Sequence, residues 1–211
     1  MLLYLNVVEN GDKHGELFNS MYQCRYRSFM ERQNYSAYVL NSIAEFDRYD
    51  MPGTYYLVWL DDAQQVRGTI RLNPMSRPTM ISEVFPHLVT LESIPETDDC
   101  WEGTRICIDK DLSPELRAQI KNELVTGTIE FCASRGCKYL YGMMQNIIFR
   151  HVYEKSGVKL TYLGPTVEIG GQKCRVAKHP TNQQLLQTLQ ILHGIDHSLI
   201  FNIENPIPVA A

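Results

Sequence analysis

The sequence lacks a Cys-x-x-Cys pair, a Gly-x-Gly-x-x-Gly turn, a Walker loop, and any apolar run approaching the roughly 18 residues of a membrane span. Each absence removes a class of protein. Without closely spaced thiols there is no zinc ribbon or dithiol redox centre. Without the glycine fingerprint a Rossmann nucleotide site is not indicated. An excess of positive charge is also missing. The 20 Lys and Arg against 24 Asp and Glu leave a net charge of −4, which argues against a nucleic-acid partner, because phosphate binding needs a basic face. No block of like charge reads as a tail. The start, residues 1–8, is apolar but has no basic flank and soon meets Asn6 and Glu9, so it reads as a strand and not as a signal peptide. These features predict a cytoplasmic protein with no membrane partner, whose six cysteines (Cys24, Cys100, Cys107, Cys132, Cys137 and Cys174) are free thiols.

A chain of 211 residues with 44% apolar content can bury a sizeable core without staples. Residues 2–8 form a first strand. Leu17, Met21, Cys24 and Phe29 recur at close to helical spacing over 14–32. Residues 33–54 are polar, with Pro52 and Gly53, and read as a long irregular loop with one helical turn. Residues 55–60 and 66–72 are strands of a hairpin turning at Asp61-Asp62. Residues 101–109 are an apolar, β-branched strand that carries Glu102 and Arg105. Ser113 followed by Pro114 starts a helix that runs to Ser134 and stops at Gly136. Further on come a strand at 138–144, a helix at 149–156 closed by Gly157, strands at 158–163 and 174–177, a helix at 182–192, and a loose tail over 201–211. Hairpin strands followed by strand–helix–strand–helix–strand predict an α/β fold, a single domain with a mixed sheet sandwiched by helices.

Charge in strands that read as buried is the main chemical signal, since such charge is paired or used. Arg71 follows Gly68-Thr69-Ile70 on the second hairpin strand, and Glu102 and Arg105 sit on the strand after it. The first helix adds Arg25, Phe29 and Arg32, and the loop adds Glu45-Phe46-Asp47-Arg48-Tyr49-Asp50. Two readings stand at this level: a structural ion-pair network that pins the loop to the helix, or a site for a zwitterionic ligand.

With these residues in place, the sequence resembles the acyl-homoserine-lactone synthase (autoinducer synthase) family. That family carries R-x-x-x-F-x-x-R, then E-x-D-x-Y-D, then R-L-x-P, then an apolar segment ending in Phe-Pro, then E-x-[ST]-R on a strand. Here these are Arg25/Phe29/Arg32, Glu45/Asp47/Tyr49/Asp50, Arg71/Leu72/Pro74, Val84/Phe85/Pro86 and Glu102/Thr104/Arg105, in the same order over residues 20–110. Tyr35 stands where the family usually has Trp, Thr104 where Ser is usual, and Asn73 where Leu is common. The second half matches in element order and a Leu163-Gly164-Pro165 turn.

The resemblance implies a GNAT-like acyltransferase fold. It also implies a reaction in which the amine of S-adenosylmethionine (SAM) attacks an acyl thioester and the SAM carboxylate then displaces the sulfonium. The products are an N-acyl homoserine lactone and methylthioadenosine. SAM is a substrate in this reading, and no cofactor or metal is implied. An ammonium must lose a proton before attack, and Glu102 is the candidate base. Thr104 is placed to donate to the thioester oxyanion. Arg71 or Arg105 would hold the SAM carboxylate, with Arg25, Asp47 and Asp50 completing the site. Phe29 or Tyr35 would face the sulfonium. The implied division is a SAM-site half over about 1–110 and an acyl-site half over about 111–200.

Candidates for the acyl tunnel are Phe85, Trp101, Thr104, Leu140, Met143, Met144 and Ile147. The strand at 140–145 has no threonine to meet a 3-oxo group, which predicts an unsubstituted chain. The donor is acyl carrier protein or acyl-CoA, both anionic, and Arg150, His151 and Lys155 offer a basic helix face. His193 and His197 lie four apart but have no third ligand nearby in sequence. Cys107 has no paired histidine and reads as a structural thiol. The alternatives to a lactone synthase are a GNAT-type N-acyltransferase acting on another amine, and a non-catalytic acyl-carrier-binding relative.

Overall fold

Asn6, Thr79, Ser113 and Asn182 sit where side-chain oxygens can start helices, and apolar alternation between them sets the strands. The computed structural model describes residues 1–31, 39–41, 43–202 and 205–208. In chain order these form β1 (Leu2–Asn6), α1 (Val7–Asn10), α2 (Gly15–Tyr26) with a π-helical turn (Arg27–Glu31), β2 (Val39–Asn41), β3 (Ala44–Glu45), β4 (Tyr55–Leu60) and β5 (Val66–Pro74). Next come α3 (Met80–Glu83), a 3-10 turn (Pro86–Leu88), β6 (Cys100–Ile108), α4 (Pro114–Ser134), β7 (Tyr139–Gln145) and α5 (Asn146–Ile148), extended by a π turn (Phe149–Tyr153) and a 3-10 turn (Glu154–Ser156). The chain continues through β8 (Thr161–Tyr162), β9 (Val167–Ile169), β10 (Gln172–Pro180), α6 (Gln183–His193), β11 (Ile200–Asn202) and β12 (Asn205–Pro208). The chain divides into two compact units.

The first unit contains Met1–Leu72, Arg105–Gly127 and the C-terminal strands. Its strands run in the order β12-β11-β1-β4-β5-β6. β1 is antiparallel to β4, with Leu3 opposite Val58 and Leu5 opposite Tyr56. β4 is antiparallel to β5, with Tyr56 opposite Arg71 and Val58 opposite Thr69. Side chains alternate along a strand, so Leu3, Leu5, Tyr56, Val58, Thr69 and Arg71 share one face. α2 covers this face with Phe18, Met21 and Cys24 in one apolar cluster. A fully buried Met or Leu contributes about 1.5–3 kcal/mol, which offsets the weak intrinsic amphipathicity of α2. α4 lies on the other face. A Cβ at Gly68 would come within 2.7 Å of the Ile120 side chain, and one at Gly127 within 2.2 Å of Leu2. Both glycines are there for close approach.

The second unit contains Asn73–Thr104 and Thr128–His197. Its order is β6-β7-β10-β8, with β9 also paired to β10. β6 and β7 are parallel, with Trp101 opposite Leu140 and Glu102 opposite Tyr141. β7 and β10 are antiparallel, with Gly142 opposite Ala177 and Leu140 opposite His179. Met75, Ile81, Leu88, Cys100, Tyr141, Leu163 and Val176 form its apolar cluster, with Phe85 and Met143 packed against them.

Most of the expected strands and the two long helices are present, but the strand expected at 2–8 ends at Asn6, just before α1 begins, the strand expected at 158–163 is reduced to Thr161–Tyr162, and several other local expectations are corrected. The 33–54 loop contains a short β2–β3 ladder, Val39 opposite Glu45, while Tyr35 and Arg32 lie outside the described residues. The helix expected at 14–32 leaves α geometry at Tyr26. Short helices at α1 and α3 were not anticipated; Asn6 caps the first by accepting from Val8 and Glu9 N–H, and Thr79 caps the second by a capping box with Ser82. The segment 149–156 is a π turn and a 3-10 turn instead of an α-helix. The tail expected to be loose adds β11, parallel to β1 with Leu2 opposite Ile200. Among the described residues no helix is long and apolar enough to cross a membrane.

Candidate active site

β5 alternation places Arg71 on the α2 face beside Tyr56, and α2 brings Arg25 to the same place. The segment after β3 supplies the opposite charge. It is fixed by its own acids: Asp50 Oδ2 accepts from the Asp47 N–H at 2.8 Å, and Asp47 Oδ1 accepts from the Tyr49 N–H at 2.8 Å.

These groups close a ring of alternating charge within the first unit. Arg25 donates to Glu45 at 2.5 Å and to both oxygens of Asp50 at 2.6 and 2.9 Å. Glu45 Oε1 accepts from Arg105 Nε at 3.0 Å, and Arg105 Nη2 donates to Asp47 Oδ2 at 2.6 Å. Asp47 Oδ1 accepts from Arg71 Nη1 at 2.5 Å, and Arg71 Nη1 lies 3.1 Å from Asp50 Oδ1. The circuit Arg25–Glu45–Arg105–Asp47–Arg71–Asp50 returns to Arg25. Three guanidiniums thus meet three carboxylates, and the ring is neutral. Tyr56 donates a further bond to Asp50 at 2.9 Å.

Burial orders the ring. The side chains of Arg25, Glu45, Asp50 and Arg71 have no exposure, whereas Asp47 retains 6% and Arg105 15%. Burial alone would push Asp50 up, but the guanidiniums of Arg25 and Arg71 hold its carboxyl well below the usual range. Burial would likewise lower Arg25, and Asp50 and Glu45 reverse that and raise it. Arg105 has φ +56°, a left-handed backbone for a branched-free but bulky residue inside a strand. Its guanidinium lies 5.5 Å from the Phe29 ring centroid. Just after α2, Arg27 forms a bidentate pair with Asp109 at 2.9 and 2.7 Å.

The other expected site residues lie in the second unit. Glu102 is buried and accepts from the backbone N–H of Met80 at 3.1 Å and Ile81 at 2.7 Å, tying β6 to the start of α3. Thr104 is buried on the same strand. Strand period 2 puts Glu102 and Thr104 on one face and Gly103 on the other. A cleft of about 230 Å³, including its open mouth, is lined by Gly103, Leu140, Gly142, Met144, Phe149, Tyr153 and His179 among others.

Of the acyl candidates, Met144 and Leu140 line this cleft. Phe85 and Met143 pack in the apolar cluster. Trp101 packs its ring 6.0 Å from Phe131 and donates Nε1–H to Asp98 O at 2.7 Å. Ile147 is 59% exposed. Glu45 completes the ring although the sequence reading gave it no site role. Its place in the E-x-D-x-Y-D segment was the available signal. Tyr153 and His179 were also missed, because they come from distant elements; the alternation of Ala177 and His179 on β10 was the only trace.

Arg150 and His151 on the π turn and Lys155 on the 3-10 turn are exposed, with Glu154 among them. All six cysteines are buried and free. Among the described residues no group of His, Cys, Asp and Glu is arranged to hold a metal ion.

Comparison with known proteins places this geometry. The sequence profile of the autoinducer synthase family matches residues 10–189. The isovaleryl-homoserine lactone synthase of Bradyrhizobium diazoefficiens is 26% identical over 184 residues, covering 87% of this chain and 80% of that protein. An acyl-homoserine-lactone synthase of Rhizobium radiobacter is 28% identical over 175 residues, covering 80% and 81%. The solved structure of BjaI, a CoA-dependent acyl-homoserine lactone synthase with SAM and isopentyl-CoA, superposes with a TM-score of 0.87 at 24% identity, covering 98% of this chain and 94% of that one. The mixed sheet flanked by helices is therefore the fold of these synthases, and the chain belongs to the autoinducer synthase family.

Proposed function

We propose that the chain joins the amine of SAM to an acyl thioester and closes the homoserine ring, releasing methylthioadenosine and an N-acyl-L-homoserine lactone as a diffusible signal for quorum sensing. The observation that carries this reading is the neutral ring, in which only the side chains of Arg105 and Asp47 keep measurable exposure. A zwitterionic sulfonium offers both signs of charge, and this edge offers the complements. Arg105 takes the SAM α-carboxylate, Asp47 the cationic groups, and Phe29, with Tyr35, an aromatic face for the sulfonium. Arg25, Arg71, Glu45 and Asp50 act through these two by fixing their positions.

Glu102 removes the ammonium proton, directly or through one water, and Thr104 donates to the thioester oxyanion. β6 carries Glu102, Thr104 and Arg105 within four consecutive positions. Nitrogen forms the amide bond as the thioester C–S bond breaks and the thiol leaves. The SAM carboxylate oxygen then attacks Cγ, the C–S⁺ bond breaks, and methylthioadenosine departs as a neutral thioether. The acyl chain passes between β6 and β7 just beyond Glu102–Tyr141, the last pair these strands form, where Gly103 and Gly142 carry no side chain, so that its thioester stays on the Glu102 and Thr104 face while the chain lies in the cleft beside Gly103 and Met144. The carrier is acyl-CoA or acyl carrier protein, docked on the segment bearing Arg150, His151 and Lys155. The six buried free thiols fit a reducing compartment, and the proposed site of action is the cytoplasm.

Incubation with SAM and a set of acyl-CoA and acyl carrier protein thioesters tests the reading. Equal release of methylthioadenosine and lactone, detected by mass spectrometry, is expected. Acylation of another amine without methylthioadenosine would replace it with the general N-acyltransferase reading, and no turnover with any thioester would leave a binding module.

A further inference from the structure

The cleft of the second unit is walled largely by apolar groups and backbone, among them Leu140, Gly142, Met144, Phe149, Leu160 and Ala177. Besides the phenols of Tyr141 and Tyr153, one imidazole interrupts this wall. His179 is 4% exposed, stands on β10 two residues from Ala177, and packs its ring 5.6 Å from that of Tyr153. The Tyr141 hydroxyl, also in the wall, is committed to Glu92 at 2.9 Å.

The protonation pattern of His179 follows from geometry. Nδ1 lies 3.0 Å from the carbonyl oxygen of Pro180. A carbonyl can only accept, so Nδ1 carries the hydrogen. Burial pushes the imidazole down to about 4, so it is neutral at physiological pH and Nε2 is a bare lone pair. Nε2 is the distal ring atom and has no hydrogen-bond partner among the described residues. An acceptor stripped of its water by a bound chain and given no donor in return weakens binding by about 5- to 150-fold. An alkyl chain leaves it unmatched, and a keto oxygen sets lone pair against lone pair. A hydroxyl donates to it.

We propose that His179 is a specificity-determining residue that selects acyl groups bearing a hydroxyl on the chain over their unsubstituted and keto counterparts. This rests on the lactone synthase reading and replaces the sequence-based expectation of an unsubstituted chain. The lone pair of Nε2 is the reading element, the Pro180 carbonyl fixes the tautomer, and an acyl chain that fills the cleft displaces the water that otherwise satisfies the nitrogen. Sites built to pair with a substrate hydroxyl reject the analogue lacking it far more strongly than apolar pockets reject an extra methylene.

The test compares hexanoyl, 3-hydroxyhexanoyl, 6-hydroxyhexanoyl and 3-oxohexanoyl thioesters of both coenzyme A and acyl carrier protein with saturating SAM. Methylthioadenosine release gives kcat/KM for each. The wild-type protein is expected to favour one hydroxylated substrate at least tenfold over the unsubstituted and keto forms. In His179→Leu this ratio should fall to within about twofold of unity, whatever the absolute rate, and His179→Gln, which keeps an acceptor, should retain part of it. Imidazole ¹⁵N NMR of the wild-type protein adds a readout that needs no variant: the Nε2 resonance should move in the direction of an accepted hydrogen bond with the hydroxylated thioester and not with hexanoyl. Equal kcat/KM across the wild-type series, or an unchanged preference in His179→Leu, overturns the proposal and leaves the synthase reading intact. No methylthioadenosine from any thioester overturns the synthase reading first.

Discussion

Glu45→Gln is the sharpest test of the charge ring. Glu45 is fully buried and bridges two guanidiniums, giving one oxygen to Arg25 at 2.5 Å and the other to Arg105 at 3.0 Å. Glutamine has the same shape but one acceptor oxygen. Its NH₂ group must then face either Arg25 or Arg105, donor against donor. The ring also passes from neutral to a net charge of +1. Removing one partner from a buried ion pair costs about 3–5 kcal/mol, because the other charge stays buried. At about 2–4 °C per kcal/mol for a chain of this size, the thermal midpoint should fall by roughly 6–20 °C. Guanidinium denaturation followed by both circular dichroism and tryptophan fluorescence measures the loss and checks that the two probes coincide. The double variant Glu45→Gln/Arg105→Gln restores neutrality, leaving Arg25 and Arg71 against Asp47 and Asp50. It should be less destabilised than the sum of the two single variants by at least about 1 kcal/mol. A cost below about 1 kcal/mol for Glu45→Gln, or strict additivity in the double variant, would refute the ring as an energetic unit.

Three further outcomes are expected. His179 has its pKa lowered by burial from 6.5 to about 4, so the unfolded chain binds its proton first as the pH falls; stability is complete above pH 6.5 and is lost towards pH 4. At about 1.4 kcal/mol per pH unit this amounts to about 3 kcal/mol, and urea titrations of His179→Leu should show a flatter slope over that interval; an unchanged slope would remove the assignment. Gly164→Ala should destabilise by about 1–3 kcal/mol or more, because its Cβ would lie 2.0 Å from the Leu88 carbonyl oxygen, which is backbone and cannot step aside; a thermal melt equal to wild type would contradict this. Glu102→Gln should lower turnover at least tenfold while circular dichroism stays native. A proportional loss of thermal stability, with turnover restored on cooling, would instead reduce Glu102 to the anchor of Met80 and Ile81 N–H.

What could be read from the sequence is what local chemistry encodes. Ser113 caps α4 by accepting from Leu116 N–H at 3.2 Å, and Asn182 caps α6 by accepting from Leu185 N–H at 2.9 Å. Gly157 and Gly194 end their helices at φ +86° and +67°. The hairpin turn is held by Asp61, whose Oδ1 accepts from Ala63 and Gln65 N–H. Non-local pairings were not legible. β11 is only three residues and pairs with β1 from the far end of the chain, so nothing nearby marks it as a strand. The β2–β3 ladder lies in a polar segment whose stability comes from the charges it delivers, a signal invisible to hydrophobic periodicity. The left-handed backbone at Arg105 could not be foreseen either, because no residue type announces it.

The conformation at Arg105 and the closure of the ring are one fact seen twice. Regular pleating from Glu102 would send successive side chains of β6 to opposite faces and give each a fixed outlook. A residue with φ +56° breaks that progression at the point where the strand passes from Thr104 to Ile106. Such a backbone costs of order 1–3 kcal/mol for a non-glycine residue and persists where surrounding contacts over-determine it. Here the contacts are the two carboxylates that Arg105 grips, Glu45 at 3.0 Å and Asp47 at 2.6 Å. Those same carboxylates are held from behind by Arg25 and Arg71. On the proposed reading, the structural network and the ligand site that the sequence left open divide the labour within one ring. Its buried arc supplies the energy that bends the strand, and the bent strand presents Arg105 at the exposed edge. Buried ion pairs are seldom more stabilising than apolar packing of equal volume, so the arc is explained by the edge it positions. Arg105→Lys separates the two roles. A single ammonium cannot span both carboxylates as the planar fork does, so KM for SAM should rise at least tenfold, and a variant that kept wild-type KM would show that the edge does not touch SAM.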